Sequence, residues 1–232
     1  MKATIFATVA VLATTALAAA DSVQMRFVDS GPGRDVRIRV DGEQYRVHAG
    51  QLNHEVLSSS GATAPGVGML TTYCVDVSEW VTRQSETYDV SELTDAPVGL
   101  GSSGMNQATA DAIGRLYTHA NGQQFENNRN FSAAFQIAIW EIVSDYGSDS
   151  GNLDVNDGDF RAWNLNSGTS NHLATLLAVA GDSSLSVNRR LRALTNDGAQ
   201  DQMFEVAIPL PTTGAMAAVG LAGAGFFTRR RR

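Results

Sequence analysis

The sequence predicts an α+β fold, with short antiparallel strands at both ends of a domain and two to three helices inserted between them. Three observations predict it. Alternating β-branched stretches separated by Gly-rich turns fill residues 23–48. Two capped amphipathic stretches occupy residues 106–146. Further alternating stretches follow residue 187.

Val23–Phe27, Val36–Val40 and Tyr45–His48 read as strands, parted by Gly31-Pro32-Gly33 and Asp41-Gly42. Residues 58–68 read as a loop. Thr72–Val77 reads as a strand that puts Tyr73, Val75 and Val77 on a core face and Thr72, Cys74 and Asp76 on a polar one. Thr87–Val90 adds another strand. Asn106 is a cap for a helix to His119 or Ala120, with Ile113, Leu116, Tyr117 and Ala120 on one stripe and Asn121-Gly122 as its stop. Asn130 is a cap for Phe131–Tyr146, whose stripe is Phe131, Phe135, Ala138, Ile139, Ile142 and Tyr146, with Gln136 at its edge. A third helix fits Asn171–Ala180, capped by Ser170. Val187–Leu194 and Met203–Ile208 are expected to close the sheet. No internal repeat is visible.

The chain divides into 1–20, 21–207 and 208–232. The first part has the form of a secretory signal peptide: Lys2, an apolar stretch from Ala3 to Leu17, then Ala18-Ala19-Ala20 as a small-residue cleavage site. The last part runs Ile208-Pro209-Leu210-Pro211-Thr212-Thr213-Gly214, an apolar run to Phe227, and Arg229-Arg230-Arg231-Arg232. The arginines would hold the apolar run in a membrane from the cytoplasmic side. The run is shorter than the ~20 residues of a stable span, which suits a transient anchor. Pro209, Leu210 and Pro211 before the apolar run and arginine cluster resemble the PEP-CTERM sorting signal, in a Pro-Leu-Pro variant with Leu210 replacing Glu. The resemblance implies processing by an exosortase-like transpeptidase. Leu210 to Gly214, with Thr213, also matches the LPXTG signal of sortases. An ordinary C-terminal anchor is the plainer alternative. Each reading puts the domain outside the cytoplasm, at the cell surface, in the envelope or in an extracellular matrix.

Of 17 Lys+Arg, removal of Lys2 and the four terminal arginines leaves 12 against 24 Asp+Glu, a net charge of −12. Such an acidic body argues against nucleic acid as partner. The 12 remaining cations are all arginine. A lysine-free body suits a protein that carries an amine-reactive group; the plainer explanation is genomic bias toward Arg codons plus the acidic composition of a secreted protein.

Cys74 is the only cysteine, so an exported chain holds one thiol with no internal disulfide partner. It lies in Tyr73-Cys74-Val75, and 62 positions later comes Phe135-Gln136-Ile137-Ala138-Ile139-Trp140. These segments resemble the two motifs of bacterial thioester domains, across roughly residues 69–146. The resemblance implies that Cys74 supplies sulfur and Gln136 the acyl group of an internal thioester, shielded by Tyr73 and Trp140. The exposed bond would acylate an amine or hydroxyl on a surface or matrix macromolecule, as in adhesion. This is single-use acyl transfer, not turnover catalysis, so an enzyme is not expected. The chemistry suits these residue types, because thiols are strong nucleophiles and a carboxamide loses ammonia. Holding the two groups together offsets the lost amide resonance.

The alternative is an unreactive buried Cys, with Gln136 bonded to a backbone group, in a non-covalent structural protein. A Cys-dependent hydrolase is a third reading, but no pattern pairs Cys74 with a His and an orienting Asn or Asp. His119 is the best placed of four histidines to assist acyl transfer, and Asp76 to orient local donors, although scattered histidines and a strand Asp are commonly surface residues. Residues 154–159 have the composition of a calcium loop with the wrong spacing, since Leu165 stands where Glu is needed. No cofactor or metal is expected. Trp80 and Trp163 read as packing residues.

Overall fold

The computed structural model describes residues 20–97, 104–146 and 153–207. Residues 1–19 and 208–232, read above as a signal peptide and a sorting segment, lie outside them. No helix among the described residues is long and apolar enough to cross a membrane.

The fold is mixed α+β. Its strands are β1 (Ser22–Val40), β2 (Glu43–Ser60), β3 (Gly68–Cys74), β4 (Ser85–Glu92), β5 (Arg161–Trp163), β6 (Leu191–Thr195) and β7 (Gln202–Glu205). Its helices are α1 (Gln107–Ala120), α2 (Arg129–Asp145) and α3 (Ser167–Gly181). All pairings are antiparallel, in the order β2-β3-β7-β6-β4-β1-β5, and β1 also pairs with β2. That last pairing returns the ladder on itself, so six strands close into a barrel and β5 extends the far half of β1. Within the barrel each of the six strands has a neighbour on both sides, while residues 43–50 of β2 pair only with β1. One apolar cluster draws Val23 and Met25 from β1, Val56 from β2, Tyr88 from β4, Leu194 from β6 and Phe204 from β7, with Leu70 of β3 against it. A cluster fed by all six strands is the barrel's filling.

The first two strands are not short, as the sequence suggested, but 19 and 18 residues long. The Gly-Pro-Gly stretch read as a turn lies inside β1 instead. The register shifts between Phe27 and Asp29 and between Ser30 and Gly33, where the strand bulges and bends. Gly33 faces Gly50 there, and a Cβ on Gly33 would sit 2.4 Å from the Ala49 carbonyl oxygen. The backbones cross too closely for any side chain. Beyond the bend, the β1–β2 ribbon leaves the barrel and the helices pack against it.

Helix α1 follows its sequence reading, from the Asn106 cap on Thr109 N to a left-handed Asn121. Helix α2 is capped by Asn128, not Asn130, whose side chain accepts from Arg34 instead. The cap of α3 is Asn166, four residues before the expected Ser170. The stripe expected on α2 is an underestimate, because Phe131 through Val143 are buried all round. The helix lies between the β1–β2–β3 face and helices α1 and α3, and a helix enclosed on all sides has no polar face to show.

Candidate functional site

Strand β3 ends at Cys74, and Val75 adds one last ladder bond to the Asp201 carbonyl at 3.1 Å. The alternation read from the sequence is present, but its polar face is not solvated. Tyr73 packs on Phe135 of α2, while Leu70 packs on the barrel filling and Thr72 hydrogen-bonds to Gln202. With helices outside and a filled barrel inside, Thr72, Cys74 and Asp76 are all buried. Asp76 is therefore not a surface strand residue. Its carboxylate accepts from Ser78 N and Oγ at 2.7 and 2.6 Å, and closes the turn that follows β3.

Gln136 projects from the second turn of α2 onto the end of β3. Its Oε1 accepts from Cys74 N at 2.9 Å and its Nε2 donates to Cys74 O at 2.8 Å. The carboxamide thus pairs with the backbone of the residue that carries the thiol, as a neighbouring strand would. Cys74 and Gln136 are each 1% exposed. Trp140, one turn along α2, donates its indole N–H to Cys74 Sγ at 3.5 Å, and the thiol donates to the Asp76 carbonyl at 2.5 Å. Burial pushes the Cys74 thiol well above its ordinary pKa, and the Asp76 and Asp201 charges push the same way against the Trp140 and Asp76 hydrogen bonds. An unacylated Cys74 is therefore held as a thiol, not a thiolate.

The arrangement has two chemical consequences. The oxygen that would carry negative charge in a tetrahedral adduct at the Gln136 carbonyl already holds one N–H donor, from Cys74 itself. Sulfur and the backbone nitrogen are three covalent bonds apart, so the backbone bond fixes the carbonyl on the residue that carries the thiol.

The remaining sequence candidates divide. Trp140 contacts the sulfur. Tyr73 lies on the opposite strand face, in an aromatic cluster with Phe125, Phe135 and Tyr117, and its hydroxyl donates to the Gln124 carbonyl at 2.5 Å. It backs the strand and does not cover the thiol. His119 is exposed on α1 and is not brought to the buried pair. His54, read as a surface residue, is buried against Phe27 and contacts Thr72 Oγ1 at 3.2 Å. Burial lowers its pKa to about 4, so it is neutral at physiological pH. Trp80 is 61% exposed and meets Tyr45 edge-on, so it is not a core residue.

Sequence reasoning missed the support behind the thiol. The sequence reads Met203–Ile208 as a closing strand, but β7 starts at Gln202, and the turn before it carries Gln200 and Asp201. Gln202 pairs with Cys74 across the ladder. Gln202 Oε1 accepts from Thr72 Oγ1 at 2.9 Å, and its Nε2 donates to Gln200 O at 3.1 Å. Gln200 Nε2 in turn donates to the carbonyls of Asp76 and Glu79 at 3.1 and 2.8 Å. The available signal was the Gln-x-Gln spacing, which puts two carboxamides on one face of a strand.

A cavity of about 1070 Å³ lies elsewhere, between the end of α2, residues 153–156 and α3, and neither Cys74 nor Gln136 lines it. The loop at 154–159 is tied to α2 through the Asp145 carboxylate, which accepts from Asp159 N at 2.9 Å and Phe160 N at 3.1 Å. Among the described residues, no group of three His, Cys, Asp or Glu is arranged to hold a metal ion. Fold and site together define a closed barrel with packed helices and a buried Cys–Gln pair at their junction. Comparisons with protein-family models, with curated proteins and with solved structures find no match to this chain.

Proposed function

We propose that the domain forms an internal thioester between Cys74 and Gln136 and uses it to attach covalently to a nucleophile on a surface or matrix macromolecule. The supporting observation is the reciprocal pair of hydrogen bonds that binds the Gln136 carboxamide to the backbone of Cys74. In the forming step, sulfur attacks the Gln136 carbonyl carbon while Cys74 N–H holds the oxygen. The C–N bond then breaks, and the thiol proton leaves with the amide nitrogen as ammonia. In the spending step, an amine on the target attacks the same carbon. An amide forms, the C–S bond breaks, and the amine's proton returns to sulfur. Burial under Trp140 excludes water and slows hydrolysis. Each molecule reacts once, so the protein is a covalent adhesin-like module, not an enzyme.

The setting proposed for this chemistry is extracellular. The signal peptide exports the chain, the apolar segment and arginines anchor it transiently, and an exosortase-like or sortase transpeptidase cuts near Pro209–Gly214.

One observation favours a second reading, a non-covalent structural protein of the envelope or matrix. Both polar ends of Gln136 are satisfied by Cys74, which is a complete structural role for a helix glutamine at a strand end. Methylamine separates the two. The thioester reading expects methylamine to add about 31 Da to the thioester form, at Gln136, and to free one thiol. The structural reading expects no adduct.

A further inference from the structure

We infer that Gln200 is a positioning residue that latches the Asp76–Trp80 turn over the Cys74 sulfur and sets how fast small reagents reach it. Its functional meaning rests on the thioester reading. Its test does not.

The sulfur and carboxamide are buried, so a segment must move before any target reaches them. Past the Val75 ladder bond, residues 76–84 belong to no strand or helix. Three carbonyls of that turn converge on one residue. Gln200 Nε2 donates to Asp76 O and Glu79 O, and Gln200 N donates to Trp80 O at 3.2 Å. Among the described residues, Cys74 is the only other side chain that donates to any of these carbonyls. Gln200 is itself buried, and Gln202 Nε2 braces its Oε1 at 3.3 Å. The turn is held shut by one carboxamide fixed from behind by another.

The Asp76 carbonyl explains why the latch suits this site. It accepts two donors, the Cys74 thiol and the Gln200 amide. Acylation removes the thiol proton and leaves Gln200 as the remaining donor. The same side chain therefore keeps a buried acceptor satisfied in both states of the sulfur, where an unpaired carbonyl would favour opening.

The test replaces Gln200 with leucine, which fills similar space and donates nothing. In thioester-bearing protein, Gln200→Leu is expected to speed methylamine uptake about tenfold. The deciding arm uses Gln136→Ala, in which the thiol is free by construction. Alkylation of Cys74 by N-ethylmaleimide, measured well below the melting temperature, is expected to be about tenfold faster in Gln136→Ala/Gln200→Leu than in Gln136→Ala alone. A merely structural glutamine would lower the melting temperature and leave that rate unchanged, which overturns the latch whatever the wild-type mass. Wild-type protein without the ammonia loss overturns the thioester reading, and the alkylation rates still judge the latch. If the leucine variant does not fold, Gln202→Leu leaves Gln200 in place and removes its brace, along with the Gln202 bonds to Thr72 Oγ1 and the Gln200 carbonyl; it is expected to raise alkylation about threefold, and an unchanged rate there also overturns the latch.

Discussion

Two buried polar groups sit little more than a turn apart on α2 and meet opposite fates. The Gln136 carboxamide has its donor and acceptor both matched by the backbone of Cys74. Glu141 is 0% exposed, and its carboxylate oxygens have no partner in good hydrogen-bonding geometry among the described residues, with only the Asp154 backbone near enough to relieve them. Burial, then the nearby Asp145 charge, lifts the Glu141 pKa to about 8, and the Asp154 backbone offsets part of this. A neutral carboxamide can be enclosed and locked in one geometry. A carboxyl at the same depth stays enclosed only while it keeps its proton. The first region is built for fixed geometry, and the second makes stability depend on pH.

The largest effect that would break this comparison is at the cover of the first region. Trp140→Ala removes a buried ring against Phe160 and the N–H at the sulfur. It is expected to cost about 3–5 kcal/mol in chemical denaturation. Trp140→Phe keeps most of the packing, and should lose the thioester to hydrolysis faster than wild type. Next is Gln136→Ala, which leaves Cys74 N–H and C=O buried without partners. A loss of about 2–4 kcal/mol by urea titration is expected, together with complete loss of any thioester. Gln136→Glu keeps an acceptor for Cys74 N but repels Cys74 O, and is expected to fall between wild type and alanine.

The acid end yields smaller effects. Gly158 has φ +88°, and a Cβ there would lie 2.6 Å from the Asp145 carboxylate that ties the loop to α2. Gly158→Ala is expected to cost about 1–2 kcal/mol, read as a lower melting temperature. The smallest and most discriminating effect is the pH profile. Glu141 at about 8 and Asp201 at about 7 both bind protons more tightly folded than unfolded. Their contribution is complete below the ordinary carboxylate range and is lost as pH rises through 7 and 8. His54, lowered to about 4, acts oppositely, gaining stability as pH rises toward 6.5, and so masks part of the change below that point. The melting temperature should therefore fall clearly between pH 6.5 and 8.5. Glu141→Gln should flatten the upper part of that fall. An unchanged profile would remove the contrast between the two regions.

What the sequence made legible was local. The Asn106 cap, the Asn121 stop and the apolar stripe of α1 are signals contained within one helix, and the structure keeps them. The Cys–Gln pairing was legible only as two motifs, because strand and helix meet across 62 residues. What was not legible depends on closure. A bulged strand with Gly-Pro-Gly inside it reads as a turn until a partner strand is seen continuing beside it. Thr72 on a polar strand face and a scattered His54 read as surface until β2, β3 and β7 bring them together with Gln202. The α2 stripe looked one-sided because periodicity reports contrast, and a helix buried all round has none.

The proposed function requires the sulfur on β3 and the carboxamide on α2 to be covalently joined in the native protein. Intact-mass spectrometry of the freshly purified, non-reduced domain, with peptide mapping, tests it most directly. A thioester gives a mass about 17 Da below that of the sequence, with a Cys74–Gln136 cross-linked peptide, and no deficit in Cys74→Ala. A full-mass protein whose Cys74 reacts as a free thiol once unfolded would contradict it.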